Sequence, residues 1–188
     1  AHLSVAYNYE GSNQIDGVVT LVLANSTLSG IYNKDVLLLE SDERYAQYTF
    51  KYFSPTHFVI TNLYRDQMTR NGHPEYVLSC IENAIKKESI LLLNGDDPLI
   101  SSLARKYDTQ VYFFGMEENE ESSKESSGLY NDGYYCPICK NKMNYHYYHF
   151  NHVGNYECEH CGFKRKADYK ITFADLKKKY LIINDTMR

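Results

Sequence analysis

No stretch of this 188-residue sequence approaches the ~18 consecutive apolar residues of a membrane-spanning helix, so no bilayer span is expected. Positive charge is not in excess. Twenty Lys and Arg stand against 24 Asp and Glu, a net charge of −4, which gives no general pull toward nucleic acid or anionic lipid. Residues 1 to 9 have neither a basic start nor a long apolar core, so no signal peptide is recognised. There is no initiator Met either. The chain opens on Ala1 directly into patterned sequence, as expected of a piece of a longer protein. None of the ten glycines forms G-x-x-x-x-G-K-[ST]; a phosphate-binding loop of that kind, if the parent protein has one, is expected upstream of Ala1. Cysteine is sparse, with five in all, yet four of them form two C-x-x-C pairs. Paired knuckles favour a metal over disulfides and imply a reducing cytoplasm. The fifth, Cys80, reads as a small buried apolar residue of a helix.

At 43% hydrophobic and 23% charged, the chain has the composition of a globular protein, long enough for one domain with a small second module. Residues 12 to 25 are expected to be helical, capped by Ser12 or Asn13, with Ile15, Val18, Val19 and Val22 on one face and Gly17 weakening the segment. The continuous run Val36-Leu37-Leu38-Leu39 suits a strand buried on both faces. Further strands are expected at 58–61, 90–93 and 111–114. Between them, Pro74 opens a helix with Val77, Leu78, Ile81 and Ile85 inward, and Asp97-Pro98 caps a helix running to about Lys106. The alternation predicts an α/β fold with a mostly parallel sheet and flanking helices.

The composition changes after Gly115. Residues 116–133 are rich in Glu and Ser and read as an acidic linker, mobile by composition, with a simple solvated loop the preferred expectation. Residues 134–164 contain C-x2-C-x18-C-x2-C: Cys136, Cys139, Cys158 and Cys161. Four thiolates around Zn²⁺ close the coordination sphere, so the site is expected to be structural rather than catalytic. With almost no core, such a zinc ribbon takes its folding energy largely from the metal. Tyr134, Tyr135, Tyr145, Tyr147, Tyr148 and Tyr156 are expected to wrap the knuckles, a base-stacking platform being the sharper alternative. His146, His149, His152 and His160 are expected simply to be exposed. The basic stretch from Lys164 to Lys179 reads as a solvated face, and Phe173, Leu176 and residues 180–183 as a return to packed structure. The ribbon is expected to form an appended lobe that contacts the sheet little. Residues 1–115 with 165–188 then make the α/β part.

Three expected strands end in polar groups: Glu40-Ser41-Asp42-Glu43, Thr61-Asn62 and Asn94-Gly95-Asp96-Asp97. Open parallel sheets bind ligands at the carboxyl ends of their strands, and carboxylates gathered there suit Mg²⁺ beside phosphates.

These motifs together with Asn8-x-Glu10-Gly11-Ser12-Asn13, the stretch Leu63-Tyr64-Arg65-Asp66-Gln67-Met68 and Pro98 resemble the central domain of the Mur ligase family. The inserted ribbon makes the chain similar to the ligase subunits of lipid II isoglutaminyl synthases. The resemblance covers nearly the whole chain. It implies ATP and Mg²⁺ as cofactors and activation of the D-glutamate α-carboxyl of the lipid II stem peptide. Ammonia would come from a glutaminase partner, GatD, in a heterodimer, and the product would be D-isoglutamine. The setting implied is bacterial and cytoplasmic, at the inner face of the membrane. By motif matching, Glu40 resembles the Mg²⁺ carboxylate, and Asn94, Asp96 and Asp97 the nucleotide-side motif. Asn62, Arg65 and Asp66 resemble the loop facing the reacting centre. Gln67 stands where other Mur ligases have His, and Thr69 where Asp is usual. The family's phosphate loop and carboxy-terminal domain are not matched, so the polypeptide alone is expected not to turn over ATP. The competing expectation is a non-catalytic zinc-ribbon module that binds RNA or protein, or acts as a scaffold.

Overall fold

The structure is a computed structural model, which describes residues 2–8, 11–64, 73–175, 177–184 and 186–187. It divides into two compact units: residues 1–54 with 75–85, and residues 55–74 with 86–188.

The first unit begins with strand β1 (Val5–Tyr7), which the sequence reading did not anticipate. It pairs in parallel with β2 (Val36–Leu38), Ala6 opposite Leu37. The run 36–39 was expected to be buried on both faces of the main sheet. It lies instead in this separate two-stranded sheet, with Leu38 58% exposed. Helix α1 (Ile15–Ala24) starts after Gln14 with no side-chain cap, so neither Ser12 nor Asn13 caps it. Of its expected apolar face, Val18 is buried and Val19 is exposed. Helix α2 (Ala46–Thr49) and helix α3 (Pro74–Ala84) follow, the latter opened by its first-turn proline. Val77, Cys80, Ile81 and Ala84 are buried, with Ile85 just past the helix end. Their 3-4 spacing is what makes that stretch an amphipathic helix.

The second unit holds a six-stranded sheet in the order β10-β9-β8-β5-β4-β3. Strands β3 (His57–Ile60), β4 (Ile90–Asn94), β5 (Val111–Met116) and β8 (Tyr169–Asp175) run parallel. Strands β9 (Tyr180–Ile183) and β10 (Thr186–Met187) extend the sheet antiparallel. Strand β4, between β5 and the edge strand β3, is the most buried, with Leu91 and Leu93 fully enclosed. Helix α4 (Pro98–Ser102) leads into a 3-10 turn, Leu103–Arg105, and Ile100 and Leu103 are enclosed with them. Of the return to packed structure, Phe173 is 48% exposed, residues 180–183 are half-buried and Leu176 lies outside the described residues.

Between β5 and β8 the chain makes an antiparallel hairpin, β6 (Asn144–Phe150) and β7 (Val153–Glu157). Asn151 takes φ 55 at its tip, a conformation Asn tolerates better than most residues. The acidic stretch does not hang free of this hairpin. Ser123 pairs with Tyr148 through both backbone groups, at 2.9 and 2.7 Å. Ser126 donates its hydroxyl to Asn151 O at 2.7 Å.

Candidate metal centre and strand-end site

The four-cysteine centre is built from two copies of one turn. Lys140 N donates to Cys136 O at 2.9 Å, and Gly162 N donates to Cys158 O at 2.8 Å. Both turns need a left-handed residue, supplied by Lys140 at φ 62 and Gly162 at φ 69. Two further bonds close the turns, Cys136 N to Asn141 O at 2.7 Å and Cys158 N to Phe163 O at 2.8 Å. The four Sγ atoms lie within 4.8 Å of one another, with Cys136–Cys161 at 3.6 Å and Cys139–Cys158 at 3.5 Å. Tetrahedral thiolates at about 2.3 Å from a metal would stand about 3.8 Å apart, so this donor set fits one ion. Burial pushes the Cys136 thiol up to about 12, whereas the backbone amide of Asn141 holds Cys139 down at about 5. A bound cation would draw the thiol protons off.

The mini-core around the centre is Met143, Tyr156 and Phe163 with Cys136 and Cys158. Of the six tyrosines expected to wrap it, Tyr147 and Tyr156 are buried, and Tyr145 stacks on Tyr148 at 4.2 Å. Tyr134 and Tyr135 are exposed. Met143 and Phe163 were not foreseen.

The lobe does not stand off from the sheet, contrary to expectation. It closes over the turn that ends β4. Gly154 N donates to Asp96 O at 2.8 Å. Arg165 donates from Nε to Asp96 Oδ1 at 2.5 Å, from NH1 to Glu117 at 3.1 Å and from NH2 to Met116 O at 2.9 Å. Met116 N donates to the other Asp96 oxygen at 2.7 Å. His149 Nε2 lies 2.9 Å from Met116 O. His152 is wholly buried with Nε2 3.5 Å from Asp97 Oδ2, and neither ring nitrogen has a hydrogen-bond partner among the described residues. The histidines expected to be exposed therefore include two that pack against acids. Likewise Arg165, read as part of a solvated basic face, has a side chain only 9% exposed. Burial raises the Asp96 carboxyl above its ordinary value, with the Arg165 guanidinium opposing the shift. A buried carboxylate with one cation and one amide on its two oxygens is held in a single orientation.

Two glycines make the closure possible. A Cβ on Gly95 would fall 1.8 Å from Lys166 O, and one on Gly115 would fall 2.4 Å from Asp96 Oδ1. No sequence signal distinguishes them from other loop glycines. Arg165 carries a faint one: it is the fourth residue after the last cysteine, where the chain must return to the sheet.

The residues matched to the ligase motifs are placed as follows. Asn94, Asp96 and Asp97 are buried at the carboxyl end of β4. Asn94 Oδ1 accepts from Asp96 N at 2.9 Å, which folds the turn back on itself. Asp97 caps α4, with Oδ1 accepting from Leu99 N at 2.9 Å and Ile100 N at 3.3 Å. Its Oδ2 accepts from Leu63 N at 2.9 Å, which draws the end of β3 to the end of β4. Asn62, exposed beside Leu63, is brought to this edge by the same bond. In the first unit Glu40 is exposed and its carboxylate makes no hydrogen bond among the described residues. Its backbone is clamped by Asn8, whose Oδ1 accepts from Glu40 N at 2.9 Å and whose Nδ2 donates to Glu40 O at 2.8 Å. Arg65, Asp66 and Gln67 lie outside the described residues.

No family model matches the chain. It is 35% identical over 187 residues to the lipid II isoglutaminyl synthase (glutamine-hydrolyzing) subunit MurT of Staphylococcus aureus strain COL, covering 98% of this chain and 41% of that protein. The MurT subunit of Streptococcus pneumoniae strain ATCC BAA-255 / R6 is 35% identical over 172 residues, 89% of this chain and 37% of that protein. The chain therefore spans about two-fifths of the length of the curated relatives it matches. Among solved structures, a pseudomurein peptide ligase type C from Methanothermus fervidus superposes with a TM-score of 0.65 at 24% identity, over 99% of this chain and 36% of that one. That likeness establishes a shared α/β fold. Along 98% of its length, then, the chain is a homologue of one region of the MurT subunits, carried on the fold of a peptide ligase.

Proposed function

We propose that this chain is the central part of an ATP-dependent ligase subunit. The subunit amidates the D-glutamate α-carboxyl of the lipid II stem peptide to D-isoglutamine, with ammonia from a glutaminase partner of the GatD kind. The observation that carries the reading is the similarity to MurT along 98% of the chain, together with acids and amides at strand ends. In this reading residues 1–115 and 165–188 belong to the Mur-type central domain and residues 134–164 to a zinc ribbon inserted in it. The work would be done at the cytoplasmic face of the membrane; no described helix is long and apolar enough to cross it.

The chemistry is positioning and charge neutralisation. ATP with Mg²⁺ supplies the phosphoryl group that converts the substrate carboxylate to an acyl phosphate. Glu40 suits the Mg²⁺ because its carboxylate is exposed while Asn8 fixes its backbone from both sides. Asn94, whose Oδ1 accepts from Asp96 N, would stand on the nucleotide side at the end of β4. Asp96 and Asp97 hold that turn in shape, Asp97 through the α4 cap and Leu63 N. Asn62, with Arg65, Asp66 and Gln67, would face the reacting carboxylate. Cys136, Cys139, Cys158 and Cys161 take Zn²⁺, which braces the lobe and does no chemistry.

The test uses the full-length subunit with its glutaminase partner. Glu40→Gln removes the charge but keeps the size, and synthesis should fall by ~100-fold or more, the scale of losing a main electrostatic stabiliser. Thermal stability should be unchanged, since the side chain is exposed. Glu118→Gln, at an exposed residue of the acidic stretch, should keep normal synthesis. Normal turnover in Glu40→Gln, or a loss explained by unfolding, would remove Glu40 from the active centre.

A further inference from the structure

Two routes run from the cysteine centre to the end of β4, and they meet at one residue, Asp96. The second knuckle closes through Cys158 N to Phe163 O, and two residues later Arg165 N donates to Tyr156 O at 3.0 Å. Tyr156 and Phe163 are themselves members of the mini-core that holds the thiols. The backbone course of Arg165 is thus fixed by the same residues that fix the metal ligands. Its guanidinium then reaches three acceptors, on Asp96, Met116 and Glu117. A planar fork can serve all three at once; an ammonium cannot do so in the same geometry. The lobe's other hold on the turn, Gly154 N to Asp96 O, comes from β7, which ends one residue before Cys158.

We propose that Arg165 is a positioning residue that couples the four-cysteine centre to the Asn94–Asp97 turn, so that metal occupancy and nucleotide affinity are linked. The nucleotide half rests on the ligase reading above; the mechanical half does not. When the knuckles are closed on a metal, Arg165 and Gly154 hold Asp96 by its side chain and its carbonyl, and Asn94 is held through Asp96 N. When the knuckles open, both holds loosen together and the buried Asp96 carboxylate loses its cation. Linkage then requires the reverse: a nucleotide that prefers the ordered turn tightens the hold on the metal by the same factor.

The experiment compares the zinc-loaded and chelator-stripped protein by hydrogen exchange, and titrates each with ATP in the full-length subunit. The proteins are wild type, Arg165→Lys, and Lys164→Ala as an exposed neighbour. In wild type, stripping should remove protection from the amides of residues 95–97 and 116 while those of 91–93 in β4 keep theirs. ATP affinity should fall about tenfold, within the usual range of coupling between sites. Arg165→Lys should keep its zinc, yet show the loosened turn and the weakened ATP binding already in the loaded state. Stripping it should then change both less than in wild type, because only the Gly154 hold is left to lose. Lys164→Ala should behave as wild type. If Arg165→Lys does not fold, Asp96→Asn removes the same contact from the other side and carries the same expectations. Unchanged protection at 95–97 on stripping would overturn the coupling, as would loss throughout β4, which would mean general unfolding. Wild-type ATP affinity in Arg165→Lys would overturn the positioning role. If wild type binds no ATP in either metal state, the ligase reading fails and takes the nucleotide half with it, and the exchange result alone decides the mechanical half.

Discussion

Replacing Gly95 by alanine should be among the costliest single changes in the second unit, although it adds one methyl group. The backbone at Gly95 is not in the left-handed region, so alanine brings no conformational strain of its own. The difficulty is room: the new Cβ would sit 1.8 Å from Lys166 O, where ordinary contact begins near 3.4 Å. The obstacle is backbone and cannot rotate away, so residue 166 must retreat by roughly 1.5 Å. Overpacking of this kind costs about 1–3 kcal/mol. A retreat that large also pulls the adjacent Arg165 off Asp96, and breaking a buried ion pair costs about 3–5 kcal/mol. These two effects share one displacement and do not add in full. A loss of about 3 kcal/mol or more is expected, corresponding to a fall in Tm of about 6–12 °C for a chain of this size. Gly128→Ala is the comparison, since its Cβ would come even closer to a neighbour, 1.5 Å from Asn151 Oδ1, but that atom ends a side chain that can turn aside. Urea unfolding of both variants at fixed zinc concentration measures the difference. If Gly95→Ala costs no more than Gly128→Ala, the close approach of residues 95 and 166 is wrong, and the clamp on Asp96 with it.

Asp97→Ala should cost about 3 kcal/mol in the same assay. It removes the α4 cap, worth about 1 kcal/mol, and leaves the buried amide of Leu63 unpaired, worth about 1–3 kcal/mol. Asp97→Asn keeps one acceptor and should recover part of the loss; equal losses would show that the cap and the Leu63 bond do not act through separate oxygens. Thiol titration of the zinc-loaded protein should find all five cysteines slow to react, chelation should release four, and Cys80 should appear only on unfolding, because it is 2% exposed in helix α3. Rapid reaction of Cys80 in the folded protein would contradict its burial.

What the sequence disclosed was whatever depends on short-range spacing. The two C-x-x-C pairs that bring four thiols together, the Asp97-Pro98 cap and the buried Val77 and Ile81 of α3 are each specified within a few residues, and each is where its spacing puts it. Strands β4 and β5 were legible because an inner strand of a parallel sheet is nearly all apolar; β3 has a similar apolar run but lies at the sheet edge, with Val59 56% exposed. The same rule misled at residues 36–39, whose apolar run pairs only with the three residues of β1. Nothing in so short a segment as Val5–Tyr7 marks a strand. The contact between lobe and sheet was hidden for a different reason. Arg165 meets Asp96 across 69 residues of sequence, and His152 meets Asp97 across a comparable span. A lone arginine in a basic stretch, or a lone histidine near cysteines, is ordinarily solvated, and only the folded chain reveals these as exceptions. The polar ends of β3 and β4 were legible in composition, and Leu63 N bonded to Asp97 joins them, while Glu40 belongs to the other unit.

The seam at Asp96 also bears on how such an insertion can come and go. An insert joined to its host only at the two points of entry is a cassette, and excising it leaves a loop. Here, splicing residue 116 to residue 166 would delete the guanidinium that faces a carboxylate only 4% exposed and the amide that serves its carbonyl. The excised protein would keep every strand of its sheet and yet carry an orphaned negative charge at the end of β4. To regain a tolerable turn it would need a second change at Asp96, while Gly95 would keep its constraint, because Lys166 O stays in the spliced chain. Acid and arginine should therefore be gained or lost as a pair.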